Sequence, residues 1–158
     1  MTEIAMLGER SIWELPKTAF LCSDRFSAGS VLKSYAWASE MKRQGQCVIS
    51  GFHSKLEKDV FELLLNGAQP VVWALARGLY DKPPAKYKQY IENGRLLIVS
   101  TFDKKIKLIN SDLAAKRNQF VADNAVEIVF AHIQRGGKLD QLRKSIIADK
   151  MVRVLDSE

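Results

Sequence analysis

Short, continuous apolar runs alternate along this chain with segments of helical period, and that alternation narrows the possible folds more than any single residue does. Thr18–Cys22, Cys47–Ile49, Pro70–Leu75, Leu96–Val99, Val126–Ala131 and Met151–Leu155 read as strands. The inner runs show almost no apolar/polar alternation, the pattern of strands covered on both faces. Between them, Val31, Leu32, Tyr35, Ala36, Ala38 and Met41 trace one helix face, and Leu113, Ala114, Arg117, Phe120 and Val121 another. Strand–helix–strand units at this regularity imply parallel pairing, because parallel neighbours need a crossover connection. The expected fold is α/β, a doubly wound, mostly parallel sheet of about six strands with helices on both faces.

The 158 residues suffice for one domain with its own core. Residues 18–158 are expected to form that domain. Residues 1–17 are read as an N-terminal extension packed on the core, with Ile12, Trp13 and Leu15 covering one end. No apolar run approaches the ~20 residues that span a bilayer. The opening MTEIAMLGER carries acidic residues and no apolar signal segment. A cytoplasmic protein without a membrane partner is expected, and a homo-oligomer is compatible with the sequence. Cys22 and Cys47 lack metal-ligand spacing and read as small buried hydrophobes. The net charge of +6 is spread along the chain with no run of five basic residues. It fits a solvated basic surface and a nucleotide or nucleic-acid footprint equally well.

In an open parallel sheet, ligands bind beyond the carboxyl ends of the strands, where strand order reverses. Two turns there combine glycine with an immediately following helix: Ser50-Gly51 and Gly136-Gly137. Glycine lets backbone N–H groups approach a phosphate, and a helix N-terminus supplies partial positive charge. Ser54 and Glu57 have the S-x-x-E spacing of a capping box, so the first turn also reads as an ordinary strand-to-helix connection. Arg117-Asn118 and Arg25 are candidate phosphate contacts or plain surface residues. His53 lacks an identified partner for acid–base work, and His132 ends a strand and reads as structural. The dinucleotide pattern G-x-G-x-x-G and the P-loop pattern are both absent, so no standard nucleotide cofactor is expected, and no metal cluster is evident.

Four segments together, Cys47 to Asp59 (CVISGFHSKLEKD), Gly94 to Phe102 (GRLLIVSTF), Ala115-Lys116-Arg117-Asn118 and Arg135-Gly136-Gly137-Lys138, resemble the DNA-processing protein A (Smf/DprA) family in order and spacing. The resemblance runs from about Ala19 to Leu142. It implies a Rossmann-like core related to the LOG-type nucleotide-binding proteins. It also implies a binding role for a nucleotide or single-stranded nucleic acid. Carried over by position, Ser50 and Gly51 would form the family's serine–glycine turn. Phe52, His53 and Ser54 follow it as candidate binding residues, with His53 and Ser54 departing from the family's usual Ala-x-Gly-Ile-Asp continuation. Arg117 and Asn118 would form its helix motif, and Gly136 and Gly137 its late glycine turn, with Lys138 following as a candidate contact. Ser23 and Arg25 match a first-turn pair only loosely, because Asp24 separates them. The LOG-type relatives cleave nucleotides with a PGGxGTxxE motif. Here Leu139, Asp140 and Arg143 replace its glycine, threonine and carboxylate. An alternative reading as a nucleoside 5'-monophosphate phosphoribohydrolase would therefore rest on Asp140 or Glu57 as the carboxylate.

Overall fold

The computed structural model describes residues 3–156. Seven strands make one sheet in the order β1-β5-β4-β3-β2-β6-β7. They are β1 (Ala5–Leu7), β2 (Lys17–Leu21), β3 (Cys47–Ser50), β4 (Val71–Ala74), β5 (Leu96–Ser100), β6 (Glu127–Phe130) and β7 (Met151–Val154). All neighbours pair in parallel except β1, which runs antiparallel to β5 with Ala5 opposite Ser100. The helices are α1 (Ala28–Gln44), α2 (Lys55–Leu65), α3 (Lys88–Glu92), α4 (Ser111–Asp123) and α5 (Lys138–Ser145).

The sheet divides the core by residue parity, as a pleated strand requires. Phe20, Val48, Val71, Leu96, Ile98 and Val129 face one side, where Trp37 and Met41 of α1 and Leu56, Val60 and Leu64 of α2 cover them. Ala19, Leu21, Ile49, Val72, Leu97 and Ile128 face the other, beneath Val121 and Ala122 of α4, Leu139 and Leu142 of α5, and Ile12. Every residue of β2 and of β5 is buried. Helix ends follow their local chemistry. Ser27 caps α1 through the Ser30 amide, and Gly45 closes it in the left-handed conformation. Asn110 caps α4.

The expected doubly wound, mostly parallel sheet is present, but it has seven strands where about six were expected. The seventh is β1, drawn from the segment read as an extension. Three residues carry no periodic signal, and their partner on β5 lies far along the chain. Lys17, buried at the start of β2, ties the same segment down. Its ammonium donates to the carbonyls of Trp13 and Leu15 at 2.6 and 3.0 Å and sits 4.4 Å from the Trp13 ring centre. Trp13 stacks on Phe120 of α4.

Candidate functional site

After β5 the chain leaves one wing of the sheet and returns on the far side of β2, so strand order reverses between β2 and β6. The loops following β2, β3 and β6 meet there with the first turns of α4 and enclose a crevice of about 440 Å³. This is the position that an open parallel sheet leaves for a ligand.

Two buried, oppositely charged residues form its floor, each about 3% exposed. Glu57 completes the capping box of α2, accepting from the Ser54 amide at 3.2 Å and from the His53 amide at 2.9 Å. Its other oxygen accepts from the Cys22 amide at 2.9 Å, beyond the end of β2. One carboxylate thus fastens two loops of the crevice. Three amide donors disperse its charge, which is what makes burial tolerable. Arg117 reaches the same place from α4, its Nε donating to Asn118 Oδ1 at 2.8 Å. Burial pushes its guanidinium below the usual range, with the charge of Glu57 partly offsetting this. Among the described residues, no carboxylate forms an ion pair with it.

Gly51 explains how so large a group fits. A Cβ there would overlap Cζ, Nε and Nη1 of Arg117. The glycine therefore admits the guanidinium, not a ligand. The neighbouring amides are also occupied: Phe52 donates to Ser50 Oγ at 3.1 Å, and His53 and Ser54 donate to Glu57. The amides of Phe52, His53 and Ser54 are thus already engaged within the chain. Phe52 holds a left-handed φ of 46°, rare for a bulky residue, and stacks on Phe61 at 4.2 Å.

The second glycine turn differs. Gly136, at φ 78°, gives its amide to Asp140 Oδ2 at 2.9 Å and lies outside the crevice lining. Gly137 is the N-cap of α5, with no side chain capping the helix. The amides that begin α5 have no intrahelical partner, and Gly137, Lys138 and Leu139 face the crevice.

Of the residues singled out in the sequence, Ser23, His53, Ser54, Glu57, Arg117, Asn118, Gly137 and Lys138 line the crevice. Ser23 Oγ accepts the Gln134 amide at 2.9 Å, joining the β2 and β6 loops. Lys138 Nζ donates to the Ser111 carbonyl at 3.2 Å, bridging α5 to α4. Ser50, Gly51 and Phe52 are buried behind it, and Arg25 is exposed outside it, with Asp24 taking its place in the wall. Asp140 lines a separate depression with Arg135, Arg143 and Lys144. The crevice is consequently mixed in charge, with Asp24 and Glu57 beside Arg117 and Lys138.

Sequence reasoning did not single out Asn110, Ser111, Ala114 and Ala115 as site residues, yet they form one wall. A signal existed. Positions 111, 114, 115 and 118 share one helix face, and the side chains there, Ser, Ala, Ala and Asn, are all short, so that face leaves room.

Compared by sequence, no protein-family model and no curated protein matches the chain. Compared by structure, it is similar to DNA processing protein A from Helicobacter pylori, described for its single-stranded DNA binding mode. That likeness has a TM-score of 0.75 and 17% identity, covering 96% of this chain and 70% of that one. DNA processing protein A from Streptococcus pneumoniae gives 0.74 and 13%, covering 96% of this chain and 54% of the other. The chain thus spans little more than half of the pneumococcal protein. A molybdenum cofactor binding protein from Rippkaea orientalis gives 0.60 and 9%, covering 88% and 75%. At these identities the likeness is one of fold: this chain has the Rossmann-like α/β architecture common to DNA processing protein A and the molybdenum cofactor binding protein.

Proposed function

We propose that the chain is a phosphate-recognising binding module whose crevice takes a nucleotide unit, either free or within a single-stranded nucleic acid. The observation that carries this reading is Arg117, a buried guanidinium in the crevice floor with no carboxylate partner among the described residues. Glu57 offsets its charge only in part and makes no ion pair with it, and a buried cation whose charge is incompletely balanced is costly unless a ligand supplies the rest. The start of α5, where no side chain caps the helix, adds partial positive charge at the same wall. Asn118, Ser111 and Gln134 provide neutral hydrogen-bonding groups for a sugar or base edge. The structural likeness to DNA processing protein A favours a single strand over a cofactor.

The test is a titration with labelled single strands and labelled mononucleotides at two salt concentrations. Binding that weakens steeply with salt is expected. No binding to either probe, or binding indifferent to salt, refutes the reading. Arg117→Gln should abolish most of the affinity while the fold persists.

A second reading, N-glycosidic hydrolysis of a nucleoside monophosphate, rests on Glu57, the buried carboxylate of the crevice. It ranks second because three amides already occupy that carboxylate, and a water-activating base needs a free oxygen. Release of free base from a panel of nucleoside monophosphates would support it. An unchanged panel removes it.

A further inference from the structure

Residues 101–110 connect the far wing of the sheet to the crevice, running from the end of β5 to the cap of α4. The connection is anchored. The Gly78 amide donates to the Ile106 carbonyl at 2.8 Å, and Gly78 and Phe102 form a parallel bridge. A Cβ on Gly78 would collide with the backbone of Asp103 and Lys104, so the glycine permits that approach. Asp103 Oδ1 accepts the Lys105 amide at 2.8 Å, and Lys104 pairs with Asp81 at 3.5 Å.

Three side chains beyond these anchors have no structural employment. Lys105 and Lys107 are exposed and form no ion pair among the described residues. Leu108 is 84% exposed, and Ile109 beside it is exposed at the crevice wall. A single exposed leucine needs no explanation. Unpaired cations followed by two exposed apolar residues that lead into the crevice form a different arrangement. It matches a strand whose phosphates and apolar base faces recur together, because such ligands bind through combined charge neutralisation and stacking.

We propose that Lys105, Lys107 and Leu108 are a second binding segment, which receives a single-stranded nucleic acid where it leaves the crevice. The two lysines contact phosphates, and Leu108 packs against a base. This rests on the reading of the crevice given above and extends it. The ligand is then an oligonucleotide several residues long, with a free mononucleotide filling only part of the surface.

Fluorescence anisotropy with labelled thymidine monophosphate and with oligo-thymidylates of two, four, eight and twelve nucleotides tests this. Affinity is expected to rise with length before levelling off. Lys105→Ala combined with Lys107→Ala should weaken twelve-mer binding about tenfold. It should also flatten the slope of log affinity against log salt by about 1.4, since each single-strand phosphate contact contributes roughly 0.7. Leu108→Ser should weaken the twelve-mer with the slope unchanged. Neither variant should alter monophosphate binding. A twelve-mer that binds no tighter than the dinucleotide overturns the inference, as do loop variants that match the parent. Competition by poly-glutamate as strong as by the twelve-mer also overturns it, because the segment would then recognise charge alone. If thymidine monophosphate binds while the loop variants are silent, only this inference falls. If no probe binds at all, the crevice reading falls with it.

Discussion

Gly51→Ala is the most direct perturbation of the arrangement, because it adds one methyl group where the structure has placed a guanidinium. Gly51 does not hold a left-handed φ, so alanine incurs no backbone strain and the effect is steric. The new Cβ overlaps Cζ, Nε and Nη1 of Arg117. Restoring an ordinary ~3.5 Å carbon separation requires the guanidinium to retreat by about 1 Å or more. That retreat breaks the 2.8 Å bond to Asn118. A hydrogen bond to a charged group contributes ~1.5–3 kcal/mol. The side chain can swing toward the open crevice and recover hydration, so a net cost near the lower end, about 1–2 kcal/mol, is expected. For a chain of this length that is a melting shift of roughly 2–8 °C. Urea denaturation read through tryptophan fluorescence is a suitable assay, since the Trp73 indole donates to the Gly51 carbonyl at 3.2 Å. The decisive comparison is a cycle with Arg117→Ala. In that background the added methyl meets empty space and should cost almost nothing. An equal cost in both backgrounds, or no cost in the parent, refutes the assignment of Gly51 as the seat of Arg117.

Glu57→Gln removes one of the two oxygens that tie the β2 and β3 loops together and should cost about 2–3 kcal/mol. Faster amide exchange at Cys22, His53 and Ser54, with the α1 interior unaffected, would check it. At position 52 the usual order of alanine and glycine should invert. Both changes lose the Phe61 stacking, but Phe52→Gly also relieves the left-handed φ, leaving it more stable than Phe52→Ala by ~1 kcal/mol in urea unfolding. Burial pushes the Cys22 thiol up to about 12, with Glu57 adding to the effect, and the Cys47 thiol up to about 11, from an ordinary 9.0. The folded state therefore holds these protons after the unfolded chain has released them. Their contribution is fully present below pH 9.0 and is lost as pH rises toward those values, at up to ~1.4 kcal/mol per pH unit for each thiol. Unfolding free energy measured between pH 8 and 10.5 should fall, and the double change to alanine should flatten that fall.

The sequence by itself determined the architecture. Buried parallel strands must be continuously apolar and helices must show a 3.6-residue period, so runs such as Leu96–Val99 and the S-x-x-E cap at Ser54 declare themselves locally. The same local rules missed β1, whose three residues acquire meaning only from a partner on β5. The site was legible in part, because the loops beyond β2, β3 and β6 could be named from strand-end rules, and Arg117 from its residue type. What each residue does there was decided by tertiary contact. Gly51 reads as a phosphate turn until the guanidinium from α4 is seen against it, and Glu57 reads as a helix cap until the Cys22 amide arrives from another strand. Glycine and glutamate specify what is possible for the backbone nearby, whereas the group that fills the space beside them comes from distant positions in the chain.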